Sequence, residues 1–367
     1  MKVAVVTCYR DPDYVRARSL RAALGDISDI ETIVVKNTRR GILRYPEILV
    51  KLWRVRRTER PDVFLLTFRG QDILPLVLLI AGKKPVWFDE FIVPGAYARG
   101  ENHKKTVYSV TKHAAARLAE PLYNSWLRRC AAVLADTSAH AELGATAAGL
   151  DRRVYSVVPV GADETVFHPS AKTRRTATFS AFYYSSGMQP LHGIGTVIEA
   201  ALLLRDVAGV EFHLAGGGRR LRSLARAAVA DGARIFYESW IPFRTLPDVM
   251  RTSGICLGGP FGNTPQARRV ITGKTYQVLA CESPVIVGES DVVGEYFVDK
   301  KNALVVPQAD SRALADAVLW AAGHPDELRE IAAAGRSLFE AEFSAPAIAR
   351  RLRPLVDAQR LSATPTR

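Results

Sequence analysis

Twelve short apolar runs of strand length alternate with longer helical stretches along the 367 residues, in two sets of six. The first set is KVAVVTCY (2–9), IETIVVK (30–36), DVFLLTF (62–68), PVWFDEF (85–91), AVLADT (132–137) and VYSVVP (154–159). The second is ATFSAFYY (177–184), VEFHLAG (210–216), ARIFYES (233–239), GICLGG (254–259), SPVIVGE (283–289) and ALVVP (303–307). Near-continuous apolar strands separated by helices indicate parallel sheets that are covered on both faces. Two doubly wound sheets accommodate these strands better than one large sheet does.

The polar segment HPSAKTRRTAT (168–178) has no apolar periodicity and lies between the two sets, so we interpret it as an interdomain linker. The sequence predicts an α/β chain with two Rossmann-like domains facing a central cleft. The predicted divisions are an N-terminal acceptor-binding domain (1–167), a linker (168–176), a C-terminal ligand-binding domain (177–345), a helix that packs back on the N-terminal domain (346–361) and a disordered tail (362–367).

The net charge of +13 favours anionic partners such as phosphorylated small molecules, acidic lipid headgroups or nucleic acid. No nucleic-acid-binding motif accompanies the charge, so we do not expect nucleic acid. The chain shows neither a signal peptide nor an apolar run long enough to span a membrane, which predicts a cytoplasmic protein. The Asp11-Pro12-Asp13 stretch imitates a metal motif but follows the first strand as a polar loop, and we expect no metal and no cofactor.

Three loops of the C-terminal half can hold phosphate, because each follows a strand and precedes a helix. They are SSGMQPLHG (185–193), GGGRR (216–220) and TGK (272–274). Small residues let backbone amides approach a ligand, and a helix N-terminus carries about half a positive charge. Lys274 adds a full charge at such a terminus. Together the loops predict a diphosphate pocket.

The second half resembles family 4 glycosyltransferases of the GT-B fold. The matching stretches are VVPVGADETVFHP (157–169), SSGMQPLHGIGTVIEAALLL (185–204), FHLAGGGRR (212–220), FGNTPQARRVITGKTYQVLACESPVIVG (261–288) and NALVVPQADSRALADAV (302–318). The resemblance implies GT-B architecture and transfer of a sugar from a nucleotide diphosphate donor, with retention of anomeric configuration.

The resemblance also implies donor-binding roles for individual residues. Ser186, Gly187 and Lys274 would hold the diphosphate, and Gln277 stands where the family has a glutamate that binds the ribose. Three residues would lie near the nucleoside: Gly216, Trp240 and Ile241.

Two positions depart from the family pattern. Arg269 replaces a second glutamate and would contact phosphate or an acidic sugar. His192 replaces a lysine, and it is either a phosphate ligand or a packed loop histidine.

In the N-terminal half, Asp89 and Glu90 end the fourth apolar run, and at least one should face the cleft. We take Asp89 as the first catalytic candidate and Glu90 as the second; the alternative is a strand-end pair without a catalytic role. The segment 36–60 carries nine cations and two carboxylates around a helical apolar stripe. It is either a solvated Rossmann helix or a surface that docks peripherally on the anionic inner face of a membrane.

The predicted function is transfer of a hexose-like sugar to a glycan or lipid-linked acceptor, as in cell-envelope glycan synthesis. One alternative keeps the fold and changes the reaction to epimerisation of a nucleotide sugar. Another is a non-catalytic subunit that binds nucleotide sugar or a membrane surface.

Overall fold

A computed structural model describes residues 1–93, 120–170, 178–185 and 187–363. The chain forms two compact units, one of Met1–Gly161 with Ala345–Arg367 and one of Ala162–Ser344. The first unit therefore ends at Gly161, six residues before the predicted boundary at 167, because the turn that follows it packs with the second unit. The predicted linker and tail lie partly outside the described residues.

Unit 1 is built on a six-stranded parallel sheet in the order β2-β1-β3-β4-β5-β6. Its strands are β1 (Lys2–Thr7), β2 (Glu31–Lys36), β3 (Val63–Leu66), β4 (Val86–Asp89), β5 (Ala132–Ala135) and β6 (Tyr155–Val157). Its helices are α1 (Val15–Gly25), α2 (Arg44–Thr58), α3 (Leu74–Ala81), α4 (120–127), α5 (Ser138–Ala148) and a C-terminal helix (Ala345–Ala363).

Both faces of this sheet are covered, which explains why its strands are apolar at nearly every position. Val3 and Val5 of β1 pack in one cluster with Leu20 of α1 and with Leu352 of the C-terminal helix. The intervening Ala4 and Val6 pack in the opposite cluster, which the helices α2, α3 and α5 complete. Alternate β1 side chains thus enter two separate layers of core.

Unit 2 has a second six-stranded parallel sheet, in the order β12-β11-β10-β7-β8-β9. Its strands are β7 (Phe179–Ser185), β8 (Val210–Gly216), β9 (Ile235–Glu238), β10 (Ile255–Leu257), β11 (Val285–Gly288) and β12 (Leu304–Val306). Its helices are α6 (Ile194–Leu203), α7 (Gly218–Ala230), α8 (Leu246–Thr252), α9 (Gly273–Ala280), α10 (Asp291–Gly294), α11 (Ser311–Gly323) and α12 (Pro325–Leu338).

Each sheet has one point where the winding direction reverses. In unit 1 the chain runs from β1 to β2 on one side and then returns to place β3 on the other side of β1. In unit 2 the same reversal separates β7 from β10. Loops that leave the two strands at such a point diverge, and open α/β sheets bind ligands in the crevice between them. The loops after β1 and β3, and those after β7 and β10, are therefore the places to examine for ligand sites.

Candidate functional site

The loops after β7 and β10 meet closely at the reversal point of unit 2. The Gly262 amide donates to the Leu191 carbonyl oxygen at 3.0 Å. Gly193 has a φ of +61°, and a Cβ atom there would lie 2.2 Å from the backbone of Phe261. A side chain at position 193 would push the loops apart, so the glycine is needed for their approach.

Lys274 lies in the first turn of α9, which starts at this junction, and its side chain is buried. Its Nζ atom is 3.4 Å from the Tyr184 carbonyl oxygen and 3.7 Å from the centroid of the Tyr183 ring. No carboxylate in the described part of the chain forms an ion pair with it. Burial lowers the pKa of the Lys274 ammonium to about 7. A buried ammonium without a counter-charge is unfavourable, and an anion beside it would restore the charged form.

His192 ends a short 3₁₀ helix, Pro190–His192, in the loop after β7. Its Nδ1 atom is buried and has no hydrogen-bond partner among the described residues. Burial, and secondarily the charge of Lys274, lower the pKa of this imidazole to about 3. His192 is therefore neutral at physiological pH, and it can offer a ligand a hydrogen bond but not a charge.

Gln277 lies on α9 three residues after Lys274 and is also buried. The Tyr184 hydroxyl donates to its Oε1 atom. This contact fixes the amide with its oxygen as the acceptor, so its NH₂ group stays available as a donor. The sequence-based prediction missed Tyr183 and Tyr184, although both stand at the end of the run ATFSAFYY. The sequence feature that could have identified them is the presence of two tyrosines at the carboxyl end of a buried strand.

The loop after β8 joins the same junction through Ser185. The Ser185 carbonyl oxygen accepts from the Gly217 amide at 2.8 Å. A Cβ atom on Gly216 (φ +82°) would lie 2.2 Å from that same oxygen, so the close approach requires glycine. The Gly187 amide lies 3.3 Å from Ser185 Oγ. Ser186, the other predicted phosphate ligand of this loop, lies outside the described residues.

The other residues predicted to contact the nucleotide are Arg269, on one loop, and Trp240 and Ile241, on another. Arg269 is partly buried at the end of the 3₁₀ helix Ala267–Arg269. Trp240 and Ile241 follow β9, the outer strand on that side of the sheet. Ile241 is buried, whereas the Trp240 side chain is 70% exposed. Of these two, Trp240 alone presents a surface to a ligand.

The carboxylates at the end of β4 do not lie where the sequence-based prediction placed them. Asp89 Oδ1 accepts from Arg16 Nε at 3.0 Å and from Arg16 Nη2 at 2.8 Å, and both side chains are fully buried. The Phe68 amide donates to Asp89 Oδ2 at 3.2 Å. Arg16 Nη1 also donates to the Pro159 carbonyl oxygen at 2.7 Å, which ties β4 to the end of β6. Asp89 therefore forms a closed structural ion pair, and no oxygen of it is open to a ligand.

Glu90 is buried as well, so neither carboxylate of the predicted pair is exposed, and a catalytic role for either stays a prediction. Its oxygens accept from the hydroxyls of Tyr123 and Tyr155, each at 2.6 Å. Burial raises the pKa of Glu90 to about 7 in spite of these two hydrogen bonds. A Cβ atom on Gly144 would lie 2.5 Å from Glu90 Oε2, so glycine leaves the space that the carboxyl occupies. Both candidates thus lie in the interior of unit 1.

Two broader features bear on the class of site. Among the described residues, no three His, Cys, Asp or Glu side chains are grouped so as to hold a metal ion. None of the described helices combines the length and the apolar character that crossing a bilayer requires.

Residues 198–353 match the model of the protein family described as Glycosyl transferase-like. This match includes Gly216, Trp240, Arg269, Lys274 and Gln277, and it begins six residues after His192. No curated protein matches the chain.

Solved structures match over nearly the whole length. Sucrose-phosphate synthase from Thermosynechococcus elongatus has a TM-score of 0.72 and 15% identity, covering 99% of this chain and 100% of its own. Anabaena Alr3699/HepE in complex with UDP-glucose has a TM-score of 0.69 and 14% identity, covering 98% and 100%. A glycosyltransferase from Rickettsia africae ESF-5 has a TM-score of 0.67 and 13% identity, covering 99% of both chains. The predicted fold class is confirmed: the chain has the two-sheet α/β architecture of GT-B glycosyltransferases.

Proposed function

We propose that the protein transfers a sugar from a nucleoside diphosphate donor to a glycan or lipid-linked acceptor, with retention of anomeric configuration. One observation carries the proposal: Lys274 is buried at the reversal point of unit 2, and no carboxylate in the described part of the chain forms an ion pair with it. Such a group is costly unless a ligand supplies the missing anion. A diphosphate is an anion of the right chemistry, and α/β sheets bind their ligands at this point.

The backbone around Lys274 supports the same ligand. Thr272 precedes α9, but no side chain caps the helix, and the Thr272 hydroxyl donates instead to the Gly258 carbonyl oxygen at 2.7 Å. The Thr275 amide donates to the Thr272 carbonyl oxygen at 3.0 Å, which leaves the amides of Gly273 and Lys274 for an external acceptor. The positive end of the helix dipole adds about half an elementary charge there. Gly216 and Gly217 let a second loop approach the same junction.

In the proposed reaction the bond between the sugar anomeric carbon and the diphosphate oxygen breaks. The leaving diphosphate gains negative charge, which the Lys274 ammonium and the α9 amides stabilise. The leaving phosphate oxygen takes the acceptor hydroxyl proton as the new glycosidic bond forms on the same face. This scheme requires no protein carboxylate as a base, which is compatible with the buried positions of Asp89 and Glu90.

UDP-glucose is the first donor to test, because Anabaena Alr3699/HepE is solved with it. Lys274→Ala should weaken UDP-glucose binding by about 1.5–3 kcal/mol in calorimetry, since one charge-assisted contact to phosphate is lost. Lys301→Ala removes an exposed lysine of the same unit and is the matched control. Equal affinities for the two variants would remove Lys274 from the site.

Turnover separates the alternatives. A transferase releases UDP slowly in water and faster with an acceptor, and the anomeric coupling constant of the product reports retention. An epimerase converts UDP-glucose to another UDP-sugar without releasing UDP. A non-catalytic subunit binds UDP-glucose and yields neither product with any acceptor supplied.

The acceptor side of the proposal includes a membrane surface on unit 1. Helices α2 and α3 pack side by side, with Leu52 and Leu74 in their shared core. Their outer sides and the preceding turn expose large apolar side chains, between 41% and 78% of each being accessible: Ile42, Leu43, Val50, Trp53, Leu76 and Leu79. We name this set the α2–α3 face. Exposed clusters of this kind are typical of interaction sites.

Cations surround the α2–α3 face. The Arg57 guanidinium lies 4.1 Å from the centroid of the Trp53 ring, and Arg54 is exposed beside it. Basic and aromatic residues on an amphipathic helix suit a bilayer interface with acidic headgroups. We therefore propose peripheral binding to the anionic inner face of a membrane, where a lipid-linked acceptor would be presented for cell-envelope glycan synthesis.

Vesicle flotation tests this surface. The protein should float with phosphatidylglycerol vesicles at low salt and not with phosphatidylcholine vesicles. Trp53→Ser with Leu79→Ser should abolish flotation, because both side chains are exposed and their loss leaves the core intact. Trp240→Ser, on unit 2, removes a similarly exposed tryptophan and should leave flotation unchanged. Flotation that survives the double substitution would rule the surface out.

A further inference from the structure

Unit 1 carries a cluster of four aromatic rings at its own reversal point. Tyr9 follows β1, Phe68 follows β3, Phe91 follows β4, and Tyr14 directly precedes α1. Phe68 is the centre: its ring centroid is 4.9 Å from that of Tyr9, 4.3 Å from that of Tyr14 and 5.0 Å from that of Phe91. Phe68 is buried, whereas the outer rings are partly exposed. We name these four residues the aromatic platform.

The loop that carries Tyr9 is held in place by a buried side chain. The Tyr9 amide donates to Asn37 Oδ1 at 3.0 Å, and Asn37 Nδ2 donates to the Tyr9 carbonyl oxygen, also at 3.0 Å. Asn37 follows β2 and is buried. These two reciprocal bonds anchor the backbone of the loop at Tyr9, so this part of the platform is held in place by the fold.

Two arginines flank the platform. The guanidinium carbons of Arg10 and Arg69 lie 5.7 Å and 5.9 Å from the centroid of the Tyr9 ring. Both side chains are exposed, and no carboxylate in the described part of unit 1 forms an ion pair with either of them. Tyr9 thus carries two available cations, held over its ring by cation–π attraction.

The neighbouring carboxylates are largely engaged elsewhere. Asp13 binds Arg21 at 2.7 Å and Lys36 at 2.8 Å. Asp136 is buried, with Oδ1 bonded to the His140 ring and with no hydrogen-bond partner for Oδ2 among the described residues. Asp11 is exposed and near Tyr14, and it is the carboxylate that an anionic ligand would have to avoid.

Arg69 also has an unusual backbone. Its φ and ψ of 58° and 28° are left-handed, a conformation that costs an arginine more than a glycine. Strained residues of this kind concentrate at ligand sites, where the side chain is needed. Arg69 therefore combines an exposed, unpaired charge with a conformation that packing alone does not favour.

We propose that the aromatic platform binds an acidic saccharide, whose ring packs on the exposed aromatic edges and whose carboxylate or phosphate is held by Arg10 and Arg69. Aromatic rings pack against the apolar faces of sugars, and their polar tips bond to hydroxyls. The planar guanidinium donates two parallel hydrogen bonds to a carboxylate or phosphate. The identification of this saccharide as the acceptor rests on the proposed function. The proposal that the saccharide binds here does not depend on that function.

Saturation-transfer NMR without any donor tests the binding. The probes are methyl glucuronide, glucose 6-phosphate and the neutral methyl glucoside. At least one acidic probe should bind about tenfold more tightly than the neutral one, as one charge-assisted contact provides. Tighter binding of methyl glucuronide would indicate a carboxylated saccharide, and tighter binding of glucose 6-phosphate a phosphorylated one. Equal binding of all three probes overturns the proposal.

Substitutions locate the site. Arg10→Ala with Arg69→Gly should remove the acid preference, and glycine at position 69 suits the left-handed backbone, so the melting temperature should not fall. Arg312→Ala with Arg329→Ala removes two exposed arginines of unit 2 and is the control. If the Arg10 and Arg69 double variant still prefers the acidic probes, these two arginines do not bind the acidic group and the proposal is wrong. UDP-glucose affinity should be equal in both double variants, so a failure of donor binding would count against the proposed function alone.

Discussion

The Nζ atom of Lys274 lies 3.7 Å from the centroid of the Tyr183 ring, and among the residues that the structure describes no carboxylate pairs with it. Burial lowers the pKa of this ammonium from 10.5 to about 7. The native state therefore binds fewer protons at this residue than the unfolded chain does between those two values. The resulting loss of folding stability is complete below about pH 7 and disappears as the pH rises above 10.5.

Lys274→Met should consequently stabilise the free protein. We expect the free energy of unfolding of unit 2 to rise by about 1–3 kcal/mol at pH 6.5, and by less at pH 9.5, because the wild-type lysine is neutral there. Denaturant titration at both pH values measures the difference. Lys301→Met, at an exposed position, should change neither value. A destabilised Lys274→Met protein would mean that the ammonium is satisfied in the free state.

Donor binding should take up a proton. A diphosphate beside Lys274 favours the charged amine, so at pH 8 close to one proton should enter per UDP-glucose bound, and at pH 6 almost none. In the free protein His192 is neutral at both pH values, since burial lowers its pKa to about 3. Calorimetry in buffers of different ionisation enthalpy counts these protons.

Lys274→Arg gives the control for that count. Arginine stays protonated in proteins, so the variant should bind UDP-glucose without proton uptake at either pH. Uptake that persists in the Lys274→Arg protein would assign the proton to another group.

Asp89→Ala should unfold unit 1 more readily instead of slowing the chemistry selectively. Arg16 would be left as an unpaired buried cation, which typically costs about 3–5 kcal/mol. Glu31→Ala breaks an exposed ion pair with Lys2 and should cost less than about 1 kcal/mol. Chemical denaturation compares the two. A fully stable Asp89→Ala protein that has lost turnover would restore Asp89 as a catalytic candidate.

Glu90 should make unit 1 less stable as the pH rises. Burial raises its pKa from 4.5 to about 7, so the native state holds a proton that the unfolded chain has already released. The stability that this bound proton provides is complete below about pH 4.5, and it is lost as the pH rises through 7. Between pH 5 and pH 8, the free energy of unfolding of the Glu90→Gln protein should rise by about 1–3 kcal/mol relative to that of the wild type, as denaturant titrations measure. A constant difference between the two proteins would show that Glu90 is ionised across that range.

Much of the fold followed from the sequence. Each of the twelve apolar runs contains one strand of the two sheets, because a strand buried on both faces must be apolar at successive positions. Lys274 was recognised because a lone cation stands in a glycine-containing turn before a helix. Its burial was not predictable, since it depends on Tyr183 and on loops distant in the chain.

The strand-end carboxylates show where sequence reasoning fails. Position at the end of a strand predicted accessibility for Asp89 and Glu90, but partners from other elements close over both. Arg16 is the decisive residue: it lies on α1 together with Arg18 and Arg21, which are both partly exposed, and nothing local marks it as the buried one. The aromatic platform was missed for the same reason, since its rings come from three separate stretches of the sequence and meet only through strand order.

The C-terminal helix has a consequence for biosynthesis. Leu352 and Val356 complete the layer that covers Val3 and Val5, yet they leave the ribosome only after the whole of Ala162–Ser344 has been translated. Domains usually fold in order of synthesis. Here the second unit can finish first, while the sheet face of the earlier one is covered only in part, by α1. The nascent chain is thus exposed to aggregation until the helix Ala345–Ala363 emerges, and chaperone binding should concentrate on the first 161 residues.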